Sequence, residues 1–225
     1  MVPPVRSLLA PLALAAAAVL PTAAGAESAA SCHCFRDRTF DPARPAAADP
    51  YILATTRSSL LSAAFGVGKG SLVASVMGGT AAEDLWIAHW AGARTGRPAE
   101  SLLGAMGEKG SWKATLAGAT GLGAAFEGAL RRGADRVELA AQAVDDVLAS
   151  RLGANPDAIR ALRSAGATSE ETILASVLAR RIEAPVLPLV LHVRAGRASW
   201  GGVLRDAGLA PAEIDGYVRS LVRAG

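Results

Sequence analysis

Cysteine is nearly absent from this 225-residue chain: only Cys32 and Cys34 occur, one residue apart. That excludes a framework of several disulfides, and it excludes a zinc site closed by cysteine alone, which wants four ligands. Histidine is almost as scarce, limited to His33, His89 and His192, and no His-Glu-x-x-His helix of the metalloprotease kind is present. Lysine is confined to Lys69, Lys109 and Lys113, and aromatic residues make up 4% of the chain. No basic run with interleaved aromatics occurs, which removes the footprint of a nucleic-acid binder. The overall charge is nearly balanced, with 23 Lys plus Arg against 20 Asp plus Glu. β-branched alternation is missing as well, so no strand is expected. Beyond the N-terminal region no apolar run is long enough to span a bilayer. The richest, Ala184 to Val193, is short and contains Pro185 and Pro188.

What is present begins with an export signal. Arg6 is the only charge in the first 26 residues, Ser7 to Leu20 is an apolar stretch, and Ala24-Gly25-Ala26 gives the small-x-small pattern a signal peptidase accepts. The apolar core falls short of the roughly 20 residues that a spanning helix needs. The expectation is a cleaved signal over 1–26, a mature chain from Glu27, and a periplasmic or secreted location with no transmembrane segment. Ala29-Ala30-Ser31-Cys32 also loosely matches a lipobox that would anchor Cys32 to a lipid. Glu27 and Ser28 separate it from the apolar core, however, and an aliphatic residue is missing at Ala29. Residues 27–48 read as an extended N-terminal segment.

The rest of the chain carries a weak tandem repeat with an offset of 86 to 88 residues. Phe65-Gly66 matches Leu152-Gly153, and Thr80 with Glu83 matches Thr168 with Glu171. Arg94 and Pro98 match Arg181 and Pro185; Ser111-Trp112 matches Ser199-Trp200; Gly121-Leu122 matches Gly208-Leu209. Thr-x-x-Glu ahead of a periodic apolar run is a capping box, which predicts helices over 81–95 and 169–182. Asp135 with Glu138, and Asn155 before Pro156, predict two further helix starts. Ser111 and Ser199 cap short helices, and Pro211 opens a last one whose Ile214, Tyr217, Val218 and Leu221 share a face. The predicted fold is all-α, with two similar multi-helix lobes: repeat 1 over 49–122 and repeat 2, with a C-terminal helix, over 135–225.

Few motifs carry chemistry. Cys32-His33-Cys34 admits three readings: a strained, exchangeable disulfide, a soft-metal site for Cu or Zn completed by other ligands, or a structural or docking role. It is not a c-type haem site, because Phe35 follows the second cysteine. Trp86, His89 and Trp90 fall on one helical face and form a possible ligand face. Leu174, Val177 and Leu178 take the matching positions in the second repeat, which favours core packing there. Gly66-Val67-Gly68-Lys69-Gly70-Ser71 fails as a phosphate loop, since Gly70 follows the lysine, and reads as a turn. Ser199 to Leu221 has the outline of a helix-turn-helix but no basic recognition helix, so it reads as a packing unit. The acid pairs Glu83-Asp84, Asp145-Asp146 and Glu170-Glu171 need no catalytic role; two of them sit at helix starts, where acids favour the dipole.

At Cys-His-Cys-Phe-Arg-Asp-Arg (32–38), Asp-Pro-Tyr (49–51) and Asp-Leu-Trp (84–86), the chain resembles an uncharacterised family of small exported bacterial proteins. The resemblance implies a helical exported protein that begins with the Cys-His-Cys segment, and no activity. The function expected from the residues is a non-enzymatic helical module that binds a protein or small-molecule partner, with no cofactor. The alternative is a redox or soft-metal-handling protein acting through Cys32, His33 and Cys34.

Overall fold

The computed structural model describes residues 40–224, so the expected signal and Cys32, His33 and Cys34 lie outside the described residues. Those residues form twelve α-helices and two short 3-10 turns, with no strand among them. The fold is all-α. The first half contains α1 (Asp49–Phe65), α2 (Lys69–Met77), α3 (Ala82–Thr95), α4 (Ala99–Lys109), α5 (Trp112–Thr115) and α6 (Ala124–Arg132). The second contains α7 (Arg136–Leu152), α8 (Pro156–Ser164), α9 (Ser169–Ile182), α10 (Val186–Arg194), α11 (Trp200–Asp206) and α12 (Ile214–Ala224). The 3-10 turns are Pro45–Ala48, before α1, and Pro211–Glu213, before α12. No described helix is long and apolar enough to cross a membrane.

The helix starts follow local chemistry. Asp135, Asn155, Ser111 and Ser199 each accept a hydrogen bond from a backbone N–H of the first turn they precede, which satisfies donors the helix itself leaves unpaired. Thr168 and Glu171 form the expected capping box of α9. Thr80 and Glu83 do not form one. The N-cap of α3 is Ala81, without a side-chain bond, so Glu83 is the second helical residue rather than the third. It is thereby free to face Arg57, 4.0 Å away. Two further boundaries differ from expectation. Lys69, Gly70 and Ser71 are the first turn of α2 rather than part of a loop, and the segment after residue 122 holds α6.

Three pairs of helices match in order and length. α1 and α7 have 17 residues each, α2 and α8 have 9, and α3 and α9 have 14. Their first residues, Asp49 and Arg136, Lys69 and Pro156, Ala82 and Ser169, are each 87 positions apart. The halves interlock. α1 packs on α9 and α12, while α3 packs on α7, and α6 packs on α7. One continuous apolar cluster runs through both halves, from Ile52 and Leu60 to Leu174, Leu178 and Val218.

The two ends of the described chain also meet. Asp49 accepts hydrogen bonds from the backbone N–H groups of Trp200 (3.0 Å) and Gly201 (2.8 Å), so the first residue of α1 caps α11. Glycine is required at 201 by the close approach of the turn before α1, because a Cβ there would stand 2.1 Å from the Pro45 carbonyl oxygen. Gly201→Ala is predicted to cost about 1–3 kcal/mol, as overpacking does. Gly216→Ala, in α12 where a Cβ would meet nothing within 4 Å, should instead stabilise by about 0.5–1 kcal/mol. Urea unfolding of the two variants checks the opposite signs.

Candidate functional site

Helix α1 ends with Ala64 and Phe65, after which Gly66 turns in the left-handed conformation (φ 68°). Helix α3 passes beside this end and presents His89, Gly92 and Ala93, with Gly96 just past its last residue. The turn from α3 into α4 adds Arg97, Pro98 and Ala99, and the last turn of α7 adds Arg151. Together these residues line an open cleft of about 590 Å³, within the size range of small-molecule sites. The turn lies close on α3 because residue 92 lacks a side chain: a Cβ on Gly92 would sit 2.6 Å from the Arg97 carbonyl oxygen. Arg97 Nη1 donates to the carbonyl of Thr115 at 3.3 Å. Arg151 has no carboxylate partner among the described residues.

The Trp86, His89 and Trp90 face divides. Trp86 and Trp90 are 2% and 3% exposed and belong to the core, whereas His89 is half-buried and opens on the cleft. Phe65 joins them: its ring stacks with His89 at 6.3 Å and 23° and meets Trp86 edge-on at 6.3 Å and 80°. The Trp86 indole N–H is buried with no hydrogen-bond partner among the described residues, so this ring contributes apolar burial and its contact with Phe65. Trp90 instead links helices. Its Nε1 donates to Asp146 of α7 at 2.9 Å, Arg94 lies over its ring at 4.7 Å and pairs with Asp146 at 2.7 Å, and Phe126 of α6 packs 4.5 Å from it.

The other polar candidates are held in structural bonds. Asp84 accepts from Trp112 Nε1 (2.7 Å) and pairs with Arg136 (3.2 Å), and Asp145 pairs with Arg163 (2.7 Å). Glu170 is hydrogen-bonded to Arg57. Lys69 donates to Ser59 Oγ (2.8 Å) and lies 3.5 Å from Asp215; burial pushes its pKa down, although the Asp215 charge opposes that. The segment from Ser199 to Leu221 places α11 and α12 against α1. Among the described residues, no group of three or more His, Cys, Asp or Glu is placed to hold a metal ion. Phe65, Arg97 and Arg151 were not picked out by sequence pattern. Phe65 read as a helix end, Arg97 carries no local signal, and only the tertiary approach of α7 brings Arg151 beside them. No protein-family model, curated protein or solved structure matches the chain.

Burial holds the His89 pKa below its ordinary 6.5, with the Glu100 charge acting the other way. The unfolded chain therefore takes up a proton before the folded one does. The contribution of His89 to stability is complete above about pH 6.5 and falls as the pH drops toward the lowered value. Unfolding free energies measured between about pH 7 and 5 should decline less steeply in His89→Gln than in the wild type. In the same cleft, Gly92→Ala should force the Arg97 turn away from α3 and cost about 1–3 kcal/mol, measurable by chemical denaturation.

Proposed function

We propose that the protein is an exported, non-enzymatic binding module, and that the cleft between the ends of α1, α3 and α7 is its ligand seat. The observation that carries this reading is the composition of the cleft. Its lining combines one aromatic ring, a half-buried histidine, two arginines and a surround of Gly, Ala and Pro. That provides walls and orienting donors, which is what a binding site needs. Catalysis would need a nucleophile or a paired acid and base within hydrogen-bond reach, and among the described residues the cleft lining contains no hydroxyl, thiol or carboxylate to partner His89. The export assignment rests on the signal pattern of residues 1–26. The common order of helices supports an origin of both halves from one duplicated unit.

Two measurements test the reading. Protein made with its N-terminal region intact in a secreting bacterium should begin at Glu27; an unprocessed N-terminus would remove the export assignment. Native mass spectrometry of gently purified protein should show a co-purifying small molecule that is lost in Ala93→Trp, a change that fills the cleft without touching the core. Retention of that molecule in Ala93→Trp, or steady turnover of it, would contradict a binding role for the cleft.

A second reading is redox or soft-metal handling, favoured by the concentration of both cysteines around His33. It predicts bound Cu or Zn, or a reversible change in free-thiol count, in protein taken from the envelope. A constant thiol count with no metal would dismiss it.

A further inference from the structure

Resting on the cleft being a ligand seat, we infer that its ligand is a small organic anion, a carboxylate or phosphate monoester carried on a flat apolar body. Arg97 and Arg151 supply the charge recognition, and the Phe65 and His89 rings supply the flat surface.

The charge argument comes from how this protein uses its arginines. Arginines that tie one helix to another are matched to carboxylates in three places: Arg94 to Asp146, Arg163 to Asp145, Arg136 to Asp84. Arg97 and Arg151 line one cleft and have no such partner among the described residues. The Thr115 carbonyl that accepts from Arg97 orients the guanidinium but is neutral, so the positive charge is not cancelled. Glu100 is the acid whose charge is felt at His89, and no ion pair ties it to either arginine. Two cations against one exposed acid leave the cleft positive. Guanidinium groups bind carboxylate and phosphate oxygens by paired N–H donors, with geometric specificity that a lysine would not give.

The shape argument comes from the rings. Phe65 and His89 lie within 23° of parallel, and Ala64, Ala93 and Ala99 stand around them with no bulky side chain. A planar apolar group is accommodated there at the price of little side-chain ordering, because the Phe65 ring is already packed against Trp86 and stacked with His89. The two arginines come from opposite halves of the chain, Arg97 after α3 and Arg151 at the end of α7, so the charge site exists only in the interlocked fold.

The experiment uses the full-length protein and follows the His89 ring and the Arg97 and Arg151 side chains by NMR titration. The probes are benzoate, phenyl phosphate, inorganic phosphate, benzamide and benzylamine. Benzoate or phenyl phosphate should move the cleft signals, and the Arg97→Gln/Arg151→Gln double variant should weaken that binding by about tenfold or more at unchanged helicity. Which of the two binds more tightly distinguishes a carboxylate from a phosphate ligand. Inorganic phosphate binding as tightly as phenyl phosphate would overturn the flat apolar body. Benzamide or benzylamine binding as tightly as benzoate would overturn the anion and leave the cleft as a ligand seat. No shift with any probe at millimolar concentration would overturn both this inference and the ligand seat on which it rests.

Discussion

The Arg57 guanidinium holds the two halves of this protein together. Arg57 stands in α1, only 7% exposed, and hydrogen-bonds to Glu170 at the start of α9 while lying 4.0 Å from Glu83 at the start of α3. Both glutamates are second residues of 14-residue helices, 87 positions apart. Each sits at the positive end of a helix dipole, which favours an acid. The single cation between them offsets the repulsion of two carboxylates drawn into one partly buried space. Breaking a buried ion pair by removing one partner typically costs about 3–5 kcal/mol, and here removal of the buried cation leaves two partly buried carboxylates facing each other.

The rest of the architecture is consistent with that junction. With α3 and α9 both directed at α1, α3 meets α7 and α1 meets α9, and the apolar faces of the two halves close on each other. Trp90, Arg94 and Asp146 secure the α3 to α7 contact. Asp49 and Gly201 secure α1 to α11. The cleft is a by-product of this interlocking. It forms where the ends of α1 and α7 flank α3, and neither half alone supplies Phe65, His89 and Arg151 together.

Much of the fold was legible in the sequence because it rests on local chemistry. Thr168 with Glu171, Asp135, Asn155, Ser111 and Ser199 are all helix starts whose side chains satisfy nearby N–H groups, and such signals are read within four residues. The all-α class followed from the same signals and from the missing β alternation. The start of α3 was misread by one residue because Glu83 resembles a capping residue, yet its carboxylate is drawn to Arg57, a partner 26 positions away that no local pattern reveals. The shared core was hidden for the same reason, since a repeat in sequence does not say whether its copies stand apart or interlock. Of the candidate site, His89 was legible from its spacing to Trp86 and Trp90. Phe65, Arg97 and Arg151 were not, because two arginines become a site only when α3 and α7 pack side by side and neither is ion-paired to an acid among the described residues.

The account depends most on the halves being one cooperative unit joined at Arg57. Equilibrium urea unfolding tests this directly, followed at once by far-ultraviolet circular dichroism, which reports all helices, and by tryptophan fluorescence, which is weighted to Trp86, Trp90 and Trp112 of the first half. Interlocked halves predict one transition with coincident midpoints, and in Arg57→Met both midpoints should fall together by the equivalent of about 3–5 kcal/mol. Two separate transitions in the wild type, or an Arg57→Met protein as stable as the parent, would contradict it.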